Sequence, residues 1–371
     1  MREVTKDKIA VKIEPNHPIT RDMIGFDVIL DGEKISKINS NLGFSHKGIE
    51  KAGQDRYIGQ YLPVIEKIDY FAPFFYSHAF LSALERLSEI ELPLYAQYVR
   101  VLTMELNRIT SHLSNLGRFM DVLNCRSAAF HFFNMQNEIL NIFEKISGGR
   151  ISCNYYVFGG VKNNICREIL TEILNFTSKF KEKFKILQGF TKENPVFLDR
   201  TRNKGIIDTQ NALEYSITGV NLRASGLNLD FRKEKPYLLY DKLEFYAPTV
   251  FEGDCYSRFA LRLDEIKISI ELVKQCLDWL LSNCEEKCNL ENKLSDICPK
   301  AGAAVSFTEG PRGLIMCHVV SDGGKKLKRV KWRTPSFYSI QILEKALIGL
   351  NLADFAVIFD SLDINSSEAD R

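Results

Sequence analysis

The run Pro93 to Leu123, PLYAQYVRVLTMELNRITSHLSNLGRFMDVL, reads as one long helix. Leu102, Leu106, Ile109, Leu113, Leu116, Met120 and Leu123 recur in alternating steps of four and three, which at 3.6 residues per turn makes a single apolar stripe. A stripe of that length belongs to a core helix. Beside it stand Glu105, Arg108 and His112, spaced three and four apart so that they stack and can pair. Charges flanking a buried face commonly form a structural ion ladder rather than a reactive site. At the end of the run is Asp121, between Met120 and Val122. An acid there is expensive to bury alone, so it faces a basic partner or a polar cavity.

Upstream, the first fifty residues read as a small β unit: IAVKI, then DVIL and EKISKI around Asp31-Gly32, a hairpin signal. The strands IAVKI and DVIL are joined by EPNHPITRDMIG, which contains His17-Pro18 and Arg21. The run Gly43 to Tyr70, GFSHKGIEKAGQDRYIGQYLPVIEKIDY, starts as a loop and ends as a helix. His46, Lys47, Gly48 and Glu50 form a polar knot around a glycine, where backbone can approach another group closely. The same pattern also serves as a plain turn with a helix cap. Lys67, Asp69 and Tyr70 sit on an otherwise apolar segment that Pro63 and Pro73 prevent from being one straight helix.

Downstream, the pattern stays helical to about Phe197, apart from SCNYYVFGGV, and EGDCYSRFALRLDEIKISIELVKQCLDWLL carries another long amphipathic helix. ENKLSDICPK reads as a loop. AAVSFTEGPRGLIMCHVVSDGG then reads as two strands around a Gly-Pro-Arg-Gly turn. The basic run KKLKRVKWR suits a solvated or partner-facing strand, and nucleic acid is not the expected partner. A helix and the tail SLDINSSEADR close the chain.

The chain has 371 residues, 45% apolar and 26% charged, with a net charge of +2, which gives no global pull toward nucleic acid or an anionic membrane. No apolar run reaches the roughly 18 residues that span a bilayer. The N-terminus lacks a signal-type apolar segment, so the nine cysteines are expected in a reducing compartment. They never form C-x-x-C, and the nearest pair, Cys284 and Cys288, has no histidine beside it. No metal or iron-sulfur cluster is expected to be held by this chain alone.

The loop-to-tyrosine run resembles the quinone-site core subunit, the D subunit, of proton-translocating NADH-quinone oxidoreductase (respiratory complex I), a family descended from the large subunit of nickel-iron hydrogenases. Arg100, Glu105, Leu106, Arg108, Ile109, His112 and Leu113 fit that family's helix pattern. Arg223, Ser225, Gly226, Asp230, Arg232 and Lys233 fit its densest stretch. The resemblance runs from about residue 15 to Arg371. It implies an α+β fold, mainly α: an N-terminal β unit with the quinone-site loop (1–54), a helical bundle (55–300) and a C-terminal mixed segment sharing the same core (301–371). The implied fold is that of the hydrogenase large subunit without its metal centre.

The resemblance further implies that the chain forms a quinone-reduction chamber with an iron-sulfur small subunit, quinone being the substrate. NADH, flavin and clusters would belong to other peripheral-arm subunits, and proton pumping to membrane-arm subunits. The chain would sit peripherally on the cytoplasmic side of a bacterial inner membrane, or the matrix side in an organelle. Tyr70, Asp121 and Lys67 take the catalytic positions, and His17 and Arg21 join Tyr70 and Asp121 in holding the quinone. His46, Lys47, Glu50 and Cys153 face the partner and its cluster.

Several positions depart from the family. Arg21 stands for the second histidine of His-Pro-x-x-His, Lys47 and Lys67 for arginines, Cys153 for a histidine and Val157 for an arginine. These changes leave open a scaffold protein with impaired quinone chemistry. A true hydrogenase is excluded, because its two C-x-x-C pairs would fall in YLPVIEKIDY and SLDINSSEADR, where no cysteine occurs.

Overall fold

The computed structural model describes residues 8–189, 194–283 and 297–371. Cys284, Cys288 and most of the ENKLSDICPK loop lie outside the described residues.

Strands β1 (Lys8–Ile13), β2 (Gly25–Asp31) and β3 (Lys34–Asn41) form an antiparallel sheet in that order. The β2–β3 turn is Gly32-Glu33, one residue later than Asp31-Gly32, because Asp31 still pairs with Lys34 while Gly32 takes the left-handed φ of 61°. Phe26, Val28 and Leu30 alternate toward the interior, where Phe26 meets Phe355 edge-on at 5.1 Å.

Two short helices follow, α1 (Ile49–Asp55) and α2 (Ile58–Ile65), then α3 (Pro73–Leu87). Pro73 opens α3, as its missing N–H allows, but Pro63 lies inside α2 without ending it. The break falls instead at residues 66–72. Tyr70 is therefore in the connection between α2 and α3 and not on a helix.

Helix α4 (Leu94–Val122) is the axis of the molecule. The stripe predicts one buried face, yet Val99 to Gly117 are buried all round. Helix α5 (Arg126–Ser147) and helix α11 (Cys255–Ser282) pack along it. A small ribbon, β4 (Tyr156–Val157) and β5 (Gly160–Val161), receives the Arg100 guanidinium through the Val157 and Gly160 carbonyls at 2.9 Å. Helix α6 (Arg167–Gly189) leans on α5 and α11. Four short helices fill the stretch before α11: α7 (Pro195–Thr201), α8 (Thr209–Glu214), α9 (Val220–Ala224) and α10 (Phe231–Glu234).

The charged side of α4 becomes part of the core because other elements satisfy it. Glu105 accepts from Ser269 Oγ and Tyr240 Oη, both at 2.6 Å, and pairs with Arg108 and Arg232 at 3.3 Å. His112 does not continue the ladder to Arg108; its Nε2 reaches Glu265 on α11 at 2.8 Å. The ladder is real but runs sideways between helices. Its charges are buried and mutually paired, the condition under which ions persist in an interior.

The C-terminal segment holds β6 (Gly302–Gly310), β7 (Gly313–Ser321) and β8 (Leu327–Arg333), an antiparallel sheet with α3 on one face. Then come α12 (Pro335–Leu347), α13 (Phe355–Ser361) and α14 (Ser366–Asp370). One apolar cluster runs from Ile13 to Ala369. The tail is not a loose end, since Leu362 to Ala369 are buried. Among the described residues no helix is long and apolar enough to cross a membrane.

Candidate functional site

The Gly43–Glu50 loop is shaped by the tail. Asp370 accepts from the N–H groups of Gly43 at 2.9 Å and Ser45 at 2.7 Å, and its carbonyl meets His46 Nδ1 at 2.7 Å. Gly48 has φ 61°, and among the described residues, its two chain neighbours aside, no atom lies within 4 Å of where a Cβ would stand. Its glycine is required by backbone conformation rather than by a close approach inside the chain. Lys47 Nζ is held by the Lys67 carbonyl at 3.0 Å and by the Ser367 hydroxyl, and lies 4.7 Å above the Tyr70 ring. Lys67 thus contributes its carbonyl to the knot, while its side chain is exposed. Glu50 accepts from the Trp332 N–H and from Lys331, each at 3.1 Å, and from Arg371 at 3.3 Å. Burial opposes its ionisation, but that N–H and those cations outweigh it and hold the carboxyl below its ordinary range.

Tyr70 is 42% exposed rather than buried, and no described residue hydrogen-bonds its hydroxyl. It stands at a cavity of about 180 Å³ whose walls include Phe74, Phe143, Leu140, Asn107, Arg150 and Cys153. Tyr70, expected on the quinone side, and Cys153, expected on the cluster side, therefore share one cavity. Burial pushes the Cys153 thiol up to about 12, so it stays protonated near neutral pH. Next to it, Asn154 N–H donates to Glu66 at 2.9 Å. Burial raises Glu66 to about 7, against the opposing pull of that N–H and the Ser77 hydroxyl.

Below Tyr70 the chain is pinned by Asp69, which takes an ion pair from Arg312, the Phe71 N–H at 2.9 Å and the Asn365 amide at 2.9 Å. Arg312 Nε also donates to the Asp363 carbonyl at 2.9 Å. Tyr76 and Ser336 both donate to Glu368, whose carboxyl burial raises to about 7. The segments YLPVIEKIDY and SLDINSSEADR, far apart in sequence, are thus in direct contact.

Arg21 and Asp121 form a second station, an ion pair at 2.7 Å with both side chains more than a third exposed. Arg21 has the left-handed φ of 52°, a strained conformation for a non-glycine residue. One turn before Asp121, Arg118 binds Asp363 at 2.9 Å and lies 5.3 Å over the Phe71 ring. Phe71 also lines the Tyr70 cavity, so Arg118 packs on a wall of that cavity from a position one turn before Asp121. Nearby, burial lifts the Asp360 carboxyl to about 6 despite the charges of Arg118 and Arg21. His17 meets the second station through its backbone, its carbonyl accepting the Arg21 N–H at 3.1 Å, while its ring Nδ1 accepts the Ile19 N–H at 3.2 Å within the same turn.

Sequence reasoning missed Arg312, Asp363 and Glu368. Arg312 sits in the Gly-Pro-Arg-Gly turn, and the tail carries no periodic pattern. Only the density of acids and serines in SLDINSSEADR signalled that something had to be paired there.

Residues 124–371 match the family described as the respiratory-chain NADH dehydrogenase 49-kDa subunit. Across the whole length, the chain is 33% identical to the NADH-quinone oxidoreductase D subunit of Desulfotalea psychrophila, covering 98% of this chain and 97% of that one. The chain belongs to this family. It is also 33% identical to the corresponding protein of Carboxydothermus hydrogenoformans, with 98% of each chain covered, and 32% identical to that of Clostridium beijerinckii, with 100% of this chain and 99% of the other covered.

Proposed function

We propose that this chain forms the quinone-reduction chamber of an NADH-quinone oxidoreductase together with an iron-sulfur subunit. The observation that carries the reading is the Tyr70 hydroxyl, exposed and unengaged at a cavity that also contains Cys153. The quinone takes up two electrons from the partner's cluster and two protons, giving a quinol. Tyr70 donates a hydrogen bond to a headgroup oxygen as charge develops there, and the Lys47 ammonium over its ring and the pinned Asp69 hold it in place. Arginine donates hydrogen bonds but gives up no proton at physiological pH, so Arg21 orients, and proton delivery falls to Tyr70, Asp121 or water.

The face of His46, Lys47, Glu50 and Cys153 turns to the partner subunit. The assembly is peripheral, on the cytoplasmic side of the membrane (the matrix side in an organelle), and electron transfer in the chamber is coupled to proton translocation by membrane-arm subunits. The two segments in which a hydrogenase would carry its thiolates, YLPVIEKIDY and SLDINSSEADR, meet here through the Asn365 amide and the Asp69 carboxylate at 2.9 Å.

A photoreactive quinone analogue tests the reading in the intact complex. Labelling within residues 70–74 or 150–153, competed by unmodified quinone, is the expected result. Labelling confined to other subunits would favour the scaffold alternative.

A further inference from the structure

A groove of about 590 Å³ lies between α1, β8 and the last residues of the chain. Lys51, Arg329, Lys331 and Arg371 line it, facing the carboxylates Glu50 and Asp370. The charges do not balance locally. Asp370 accepts from the Gly43 and Ser45 N–H groups and keeps its charge, and Lys51 has its own partner in Asp55 at 3.1 Å. Glu50 and Asp370 then stand against three cations, Lys331, Arg371 and Arg329, which lie 3.1, 3.3 and 4.0 Å from Glu50. Two carboxylates leave one of the three cations without a countercharge.

The Arg329 and Lys331 side chains are 52% and 44% exposed. Pairs that exposed add at most about 1 kcal/mol each to folding, so stability gives little reason to gather them. A concave site with surplus charge of one sign does concentrate ligands of the opposite sign.

We propose that this groove receives an acidic segment of a neighbouring polypeptide. The proposal deepens the functional reading, in that it rests on the chain working inside a multisubunit assembly. The segment presents one or two carboxylates to Arg329 and Lys331, while Leu42 and Phe337 supply apolar wall for the residues between them. The groove adjoins the His46–Glu50 loop, so it extends the partner face already described. A polypeptide fits better than a nucleic acid. The groove is short, Glu50 forms part of its wall, and its lining offers no row of exposed aromatic rings for stacked bases.

A carbodiimide joins amines to carboxylates only where they touch, and it is applied to the native complex. The expected product links Lys331 or Lys51 to an aspartate or glutamate of another chain. Lys331→Arg removes any Lys331 product while leaving assembly intact. In Arg329→Gln/Lys331→Gln, the neighbouring chain is released at lower salt than from the unaltered complex, with the thermal unfolding of this chain unchanged.

Only the internal products Lys331–Glu50 and Lys51–Asp55, with an unchanged salt profile, would overturn the proposal. A nucleic acid crosslinked to β8 would overturn it too. The outcome is separable from the quinone reading: an intermolecular product in a complex that reduces no quinone leaves the groove assigned and removes the chamber.

Discussion

Arg21 combines a left-handed backbone, φ 52°, with an ion pair to Asp121 at 2.7 Å. From the sequence Asp121 faces a basic partner or a polar cavity; which of these, and that the partner is Arg21, was not legible, because the two residues are a hundred positions apart. The pair is too exposed to matter much for stability, so its effect should appear in quinone chemistry. An imidazole titrates near pH 6.5, whereas the guanidinium stays charged. Arg21→His should therefore assemble normally and be active, but its quinone reduction should vary severalfold between about pH 6 and 8, while the unaltered protein shows no such transition from this residue. Rate against pH in the intact complex checks this, and parallel profiles would remove Arg21 from the site. Tyr70 was legible as a candidate from its setting among apolar residues. Its exposure was not, because the break after α2 lifts it off the helix.

At the scale of elements, α4 shows how far a periodic pattern reaches. The stripe correctly marks a helix, but it cannot say that the opposite face is buried as well, since that depends on Arg232, Tyr240, Ser269 and Glu265 arriving from elsewhere. The end of α2 offers a test in which pH alone is the variable. Burial raises Glu66 to about 7, above its unfolded value near 4.5. The folded state then holds more protons than the unfolded state between those values, so stability falls as pH rises from about 4.5 to 7 and is level above. The loss is on the order of 3 kcal/mol. Glu66→Gln cannot ionise and should flatten the profile, making the variant the more stable form at pH 8. Thermal unfolding of the full chain at pH 5 and pH 8 measures the difference, and equal pH slopes would show that Glu66 is not held as described.

For the whole molecule, the order of a β unit, a helical body and a mixed C-terminal segment was legible because hairpins and long amphipathic helices are local patterns. The closure of the fold was not. Arg312, from a hairpin turn, binds Asp69 and the tail, and Glu368 accepts from Tyr76 and Ser336; contacts across such distances leave no periodic trace. This closure sets Tyr70 beside the Lys47 loop and at the mouth of the cavity. The central claim is that the cavity works on quinone, and Tyr70→Phe tests it most directly because it removes one hydroxyl and no packing. A hydrogen bond in such a site is worth about 1–3 kcal/mol, so quinone reduction by the assembled complex should fall about five- to 150-fold, with subunit content unchanged. Full activity in a correctly assembled Tyr70→Phe complex would contradict the account.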